Sequence, residues 1–250
     1  MIKLENITKS FGSTVALRQI TFTAASGGTT ILIGPSGCGK STLIRLIVGL
    51  IHPDSGKIII ENTEITRNNI GLIRRKMGYV IQEGGLFPHL TASKNISLMA
   101  DYLGWERIKT IKRIKDLSDL TKFPEKALTR FPAELSGGQR QRVSLMRALM
   151  LDPEILLLDE PLGALDPMIR FDLQTDLKSI FQKLKKTVIM VTHDLSEANF
   201  FGDHIILMRN GRIIQQGLLL DFQKEPAEDF VLKFVQAQRS SFLEGGRIRE

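Results

Sequence analysis

Apolar and polar residues alternate from Ile2 to Thr8 and again from Leu17 to Thr23, the two-residue period of half-buried strands. Ser26-Gly27-Gly28 supplies a turn, and Thr30 to Ile33 is a short apolar run that predicts a buried strand. The period then lengthens. From Lys40 to Gly49, Leu43, Leu46, Ile47 and Leu50 fall on one helical face. His52-Pro53-Asp54-Ser55-Gly56 reads as a loop, Lys57 to Ile60 as a strand, and Met77 to Ile81 as another strand that ends at Gln82.

Beyond about Gly85 the texture changes. Thr91 to Leu149 has almost no strand pattern, and Ile108, Ile111, Ile114, Lys115 and Leu117 recur at helical spacing. The strand pattern returns at Ile155 to Leu158 and at Thr187 to Val191, with a helix predicted over Asp166 to Leu184 between them. His204 to Met208 and Arg212 to Gln216 flank Asn210-Gly211, the signal of a type I′ hairpin. Glu228 to Gln238 predicts a last amphipathic helix, and the polar, glycine-containing stretch Ser240 to Glu250 is expected to fray. The expected organisation is one α/β domain over residues 1–238 with a tail at 239–250. Residues 1–84 and 155–238 would form the core with an N-terminal antiparallel β subdomain, and 85–154 an inserted helical subdomain.

Three short segments carry chemistry. The first, Gly34-Pro35-Ser36-Gly37-Cys38-Gly39-Lys40-Ser41-Thr42, lies between a predicted strand and a predicted helix. Its glycines let backbone N–H groups close on phosphate oxygens at a helix N-terminus. Lys40 would neutralise β- and γ-phosphates, Ser41 offers a hydroxyl to Mg²⁺, and Thr42 stands ready for a further phosphate contact. Cys38 reads as a small filler, or as a thiol whose pKa the helix start lowers. The second segment is Ile155-Leu156-Leu157-Leu158-Asp159-Glu160. Asp159 at the end of a buried strand is the matching Mg²⁺ carboxylate, and Glu160 beside it could orient a water for attack on the γ-phosphoryl. The third is Leu135-Ser136-Gly137-Gly138-Gln139. Ser136 and Gly138 stand just before a helix and form a second anion-binding helix start. One chain with two phosphate-grasping sites on separate lobes points to a head-to-tail pair in which each molecule completes the other's site.

The order of these segments resembles the ATP-binding cassette family over roughly residues 1 to 238. The resemblance implies a P-loop NTPase core, ATP and Mg²⁺ as ligands, and ATP hydrolysis. It implies roles for Gln82 as the Q-loop glutamine that reaches Mg²⁺ and the water, and for His193 as the switch histidine on the γ-phosphate. Asp166, in Gly163-Ala164-Leu165-Asp166, would be the D-loop acid at the dimer seam; the family more often starts that loop with serine. Phe11, in Lys9-Ser10-Phe11-Gly12, would stack on adenine, with Ser136, Gly138 and Gln139 facing the partner's nucleotide. Leu86-Phe87-Pro88-His89-Leu90-Thr91 is similar to the importer subset, where this region binds a transmembrane permease. Met77-Gly78-Tyr79-Val80-Ile81-Gln82, Gly85 to His89 and Pro226 to Val231 resemble importers of glycine betaine, choline and related quaternary amines. Many of those carry a paired regulatory domain after the cassette, which a chain ending near 250 is expected to lack or to find elsewhere.

Composition narrows the partners. The chain has 42% hydrophobic residues among 250, yet no run approaches the roughly 20 apolar residues of a spanning helix. Met1-Ile2-Lys3-Leu4-Glu5 carries no signal-peptide core, and the single cysteine suits a reducing compartment. The expected location is the cytoplasmic face of a membrane, held through separate permease subunits that receive solute from a periplasmic or lipid-anchored binding protein. A net charge of +7 leaves open a soluble cassette acting on nucleic acid or ribosomes. That class usually has tandem cassettes or long basic linkers, and nucleic acid is not expected here. Export or lipid trafficking is the remaining alternative.

Overall fold

A computed structural model describes residues 1–82, 84–163 and 165–244, with side chains through 238. Glu83, Ala164 and the tail residues 245–250 lie outside the described residues. The chain divides into two compact units, residues 1–64 with 191–250 and residues 65–190.

The first unit opens with β1 (Ile2–Phe11) and β2 (Thr14–Ala24), an antiparallel pair running from Ile2↔Ala24 to Phe11↔Thr14. Next come β3 (Thr29–Ile33), α1 (Lys40–Ile47), β4 (Ser55–Ile60) and the two-residue β5 (Thr63–Glu64). One antiparallel sheet has the order β2-β1-β4-β5. Its inward face is Ile2, Leu4, Ile7, Leu17, Ile20 and Phe22; the predicted alternation slips by one residue near Asn6 and near Gln19, where the backbone takes positive φ and the pairing register shifts.

The second unit holds α2 (Ile70–Arg74), β6 (Met77–Val80), α3 (Ala92–Tyr102), α4 (Arg107–Thr121), α5 (Gly137–Leu149), β7 (Ile155–Asp159), α6 (Pro167–Leu184) and β8 (Thr187–Val191). Its strands lie in the order β8-β7-β6, with β6 and β7 parallel, and α3, α4 and α5 pack on one another. The chain then returns to the first unit with α7 (Leu195–Phe201), β9 (His204–Arg209), β10 (Arg212–Gly217), α8 (Leu219–Lys224) and α9 (Asp229–Glu244). There β9 pairs parallel with β3 and antiparallel with β10. Every residue of β3, β7 and β8 is buried, as continuous apolar strands in parallel pairing require.

Several details depart from the sequence pattern. Leu50 is 55% exposed, outside α1. Gly49 turns to φ +73 and the Leu50 N–H returns to the Arg45 carbonyl at 2.8 Å, ending the helix early. In α4, Ile108 and Ile111 are exposed, whereas Thr110, Ile114, Leu117, Ser118 and Thr121 are buried. A strict i, i+3 series drifts by about 60° per step around a 3.6-residue helix, so four isoleucine and leucine positions in that register cannot share one buried face. The last helix runs past Gln238 to Glu244, with no breaker in the sequence before Gly245-Gly246.

One ion-pair cluster ties α5 and α4 to α6. Asp176 on α6 accepts from Arg142 on α5 and from Lys122 at the end of α4, both at 2.7 Å. Arg142 also donates to the Thr121 carbonyl. Burial raises the Asp176 pKa, and the Lys122 and Arg142 hydrogen bonds outweigh it, holding the carboxyl below its ordinary value of 3.8. A depressed carboxylate pKa contributes stability above the unfolded-state value and loses it as pH falls through the folded-state value. Asp176→Asn should therefore lower the unfolding free energy by about 1–3 kcal/mol at neutral pH. Denaturant titrations at stepwise lower pH should show the gap from the parent closing below the ordinary carboxylate range. A gap that stays constant with pH would remove the charge from the explanation.

Candidate nucleotide site

In the first unit the buried strand β3 delivers the chain into the glycine loop, and α1 begins at Lys40. Gly34, Gly37 and Gly39 all have positive φ, at +145, +77 and +109. At Gly34 a side chain is impossible: a Cβ there would collide with the Met208 carbonyl on β9. Cys38 N–H donates to the Pro35 carbonyl at 3.3 Å and Gly211 N–H to the Cys38 carbonyl at 3.1 Å, so the hairpin between β9 and β10 props the loop. Pro35, Ser36 and Gly37 are exposed at its tip.

Lys40 is 6% exposed. Its Nζ turns into the loop and donates to the carbonyls of Gly34 at 2.8 Å and Pro35 at 3.2 Å. A concave backbone with a cation at its centre and a helix start behind it fits polyphosphate. Ser41 and Thr42 are half-buried in the first turn of α1. Cys38 is buried; burial pushes its thiol pKa up against the pull of the Lys40 charge, which fits the filler and not the reactive thiolate.

Phe11 lies at the end of β1, where the chain turns through Gly12 into β2. Its ring is 51% exposed, with Lys9 Nζ 5.5 Å from the centroid. This is an open aromatic face and not a core side chain. His193 follows β8 and is exposed. The residues on either side of it are fixed. Thr192 Oγ1 donates to the buried Glu197 carboxylate at 2.6 Å and accepts from the Asp194 N–H at 3.0 Å. Asp194 in turn caps α7, accepting from the N–H groups of Ser196 and Glu197. Glu197 was not among the sequence candidates. Its signal is an acid four residues after the histidine on an otherwise apolar helix face, with Leu195, Ala198 and Phe201 buried beside it.

In the second unit Asp159 ends β7 and is 3% exposed. Glu160 is half-buried with φ +47, a conformation that costs about 1–3 kcal/mol for a residue with a β-carbon. The Gly163 N–H donates to its carbonyl at 3.2 Å and closes the turn. Gln82 follows β6 and is exposed.

Ser136 is the N-cap of α5: its Oγ accepts from Gln139 N–H at 3.2 Å while Gln139 Oε1 accepts from Ser136 N–H at 3.1 Å. This reciprocal capping box turns the Gln139 side chain back on its own helix. Asp166 caps α6, its carboxylate accepting from the Met168 and Ile169 N–H groups at 3.1 Å. The two helix starts meet. A Cβ on Gly138 would stand 2.7 Å from Ile169 Cγ2, and one on Gly137 would stand 3.2 Å from Leu165. The sequence candidates thus divide between the units, with the glycine loop, Phe11 and His193 on one. On the other stand the pair Asp159–Glu160, Gln82, and the abutting caps Ser136 and Asp166.

Comparison with known proteins identifies the family. A family model described as ABC transporter matches residues 17–163. The glycine betaine/carnitine/choline transport ATP-binding protein OpuCA of Bacillus subtilis (strain 168) is 42% identical over 240 residues, 96% of this chain and 63% of that protein. The glycine betaine uptake system ATP-binding protein YehX of Escherichia coli (strain K12) is 41% identical over 234 residues, 94% of this chain and 76% of that protein. The chain thus spans 63% of the length of the first curated relatives it matches. Among solved structures, the dimeric bacterial ABC transporter cassette MJ0796 superposes with a TM-score of 0.80 at 34% identity, covering 88% of this chain and 99% of that one. With its glycine loop before α1, its paired strand-end acids and its serine-capped α5, the chain belongs to the ABC transporter family and has the α/β fold of an ATP-binding cassette.

Proposed function

We propose that the chain is the ATP-hydrolysing, energy-coupling subunit of an importer for glycine betaine, choline or related quaternary-amine osmoprotectants. Two copies would close head to tail on two ATP molecules and drive separate transmembrane subunits at the cytoplasmic face of the membrane, which a solute-binding protein supplies from outside. Among the described residues no helix is long and apolar enough to cross a membrane. The observation that carries the ATPase reading is the pairing of two anion-grasping helix starts, at Lys40 and at Ser136, on different compact units of one chain. Likeness to OpuCA and YehX supports the solute class.

The residues would divide the work as follows. Phe11 stacks on the adenine with its open ring face. The Gly34–Gly39 backbone and Lys40 hold the phosphates, the ammonium exchanging its carbonyl partners for phosphate oxygens. Ser41, Asp159 and Gln82 are hard oxygen donors of the kind that would hold magnesium. Magnesium, when bound, neutralises charge on the transferring phosphoryl group. Glu160 accepts a proton from the attacking water or orients it, and His193 donates to the γ-phosphate. Ser136 Oγ and the Gly138 N–H approach the twin's γ-phosphate, while Asp166 lies along the seam.

Reconstitution in vesicles with the permease and binding protein encoded beside it tests the reading. ATP turnover should rise when glycine betaine, choline or carnitine is supplied with its binding protein, and labelled solute should accumulate. Stimulation by sulfate instead, or by none of these solutes, defeats the osmoprotectant assignment.

A further inference from the structure

One end of α5 carries Ser136; its other end grips the segment that follows Gln82. Arg147 Nη1 donates to the Gly85 carbonyl and Nη2 to the Gly84 carbonyl, both at 2.9 Å. Ser144 Oγ, one turn earlier, donates to the same Gly84 carbonyl at 2.8 Å. The guanidinium also lies 5.9 Å from the centroid of the Phe87 ring, which is 43% exposed. From the opposite side, fully buried Asn95 on α3 clamps the Phe87 backbone. Its Oδ1 accepts from Phe87 N–H at 2.8 Å, and its Nδ2 donates to the carbonyls of Phe87, Leu90 and Thr91 at 3.0–3.1 Å. Ser136 and Arg147 stand about 16 Å apart along a single rigid helix.

We infer that Arg147 is a positioning residue that fixes the Gly84–Phe87 segment to the signature helix, so that displacement at Ser136 and displacement at Phe87 are one motion. The inference rests on the nucleotide-sandwich reading above and adds the physical link within it. Three donors from α5 converge on two consecutive carbonyls, and the two from Arg147 form a fork that only a guanidinium supplies. Gly84 to Phe87 therefore follow α5 rather than swinging independently. A load on the exposed Phe87 ring reaches the helix start at Ser136, and closure at Ser136 reaches Phe87.

Amide hydrogen exchange on the full chain tests this without any permease or solute. In a Glu160→Gln background with ATP and magnesium, the parent should exchange at least about fivefold more slowly at both 137–139 and 84–90. Arg147→Met should keep the slowing at 137–139 and lose it at 84–90. Arg147→Lys, which keeps the charge but not the fork, should recover part of it, and melting curves check that both variants fold. If 84–90 responds to ATP equally in Arg147→Met, or does not respond in the parent, the link is wrong while the sandwich stands. If 137–139 shows no response in the parent, the sandwich and the link fall together. If Arg147→Met proves unfolded, Arg147→Lys decides alone: a response at 84–90 equal to the parent's overturns the link, and a reduced one supports it.

Discussion

Glu160→Gln is expected to slow ATP turnover by about 10²–10⁴-fold while leaving nucleotide affinity close to that of the parent. Glutamine keeps the size and one acceptor oxygen of glutamate but cannot take a proton. It also inherits the φ of +47 that the turn at Gly163 imposes, so the backbone geometry is the same in both proteins. What changes is the charge facing the water. In the proposed site, binding falls to Lys40 and the Gly34–Gly39 backbone, so the defect should fall in kcat with little change in KM. Held before hydrolysis, the variant should accumulate as an ATP-bound dimer, visible by light scattering or size exclusion. Steady-state turnover equal to the parent's would strip Glu160 of its role.

Lys40→Ala should weaken ATP binding by at least about 10²-fold, or about 2.7 kcal/mol. The ammonium sits inside the loop on the carbonyls of Gly34 and Pro35, so its removal deletes the only cation held at the centre of that loop among the described residues. It leaves two carbonyls pointing at the space a phosphate needs, which repels the anion further. Calorimetric titration with ATP, beside a melting curve to establish that the variant folds, gives the measurement. Affinity equal to the parent's in a folded variant would move the phosphate site away from this loop.

The loop and the strand-end acids were legible in sequence because each is a contiguous string whose chemistry depends on local backbone: glycines, a lysine at a helix start, carboxylates after an apolar run. Strands were legible by their two-residue alternation, as at Ile2 and Leu4, although the pattern slips by one residue near Asn6. The register of α4 was not. Ile108, Ile111, Ile114 and Leu117 match a helical spacing, yet the face that packs is set by α3, α5 and α6, and Ile108 and Ile111 end up in solvent. The supports of the site were less visible. Glu197 binds Thr192, the neighbour of His193, at 2.6 Å, and its signal is local, an acid on an otherwise apolar helix face. Arg147 reaches the Gly84 and Gly85 carbonyls across more than sixty residues of chain, a contact that spacing does not encode. Phe11 and Gln82 gained their meaning only from family likeness, since an aromatic near a hairpin or a glutamine at a strand end has no chemistry of its own.

The tight fit of Gly138 against Ile169 bears on how mutational scans of this region are read. A methyl group at position 138 would already strike its own chain, before any second molecule arrives. Intolerance of alanine there is thus no evidence of contact with a neighbouring copy. Trimming Ile169 to alanine, which removes the Cγ2 methyl that valine would keep, alongside the change at 138 separates the intramolecular clash from whatever the assembled pair demands.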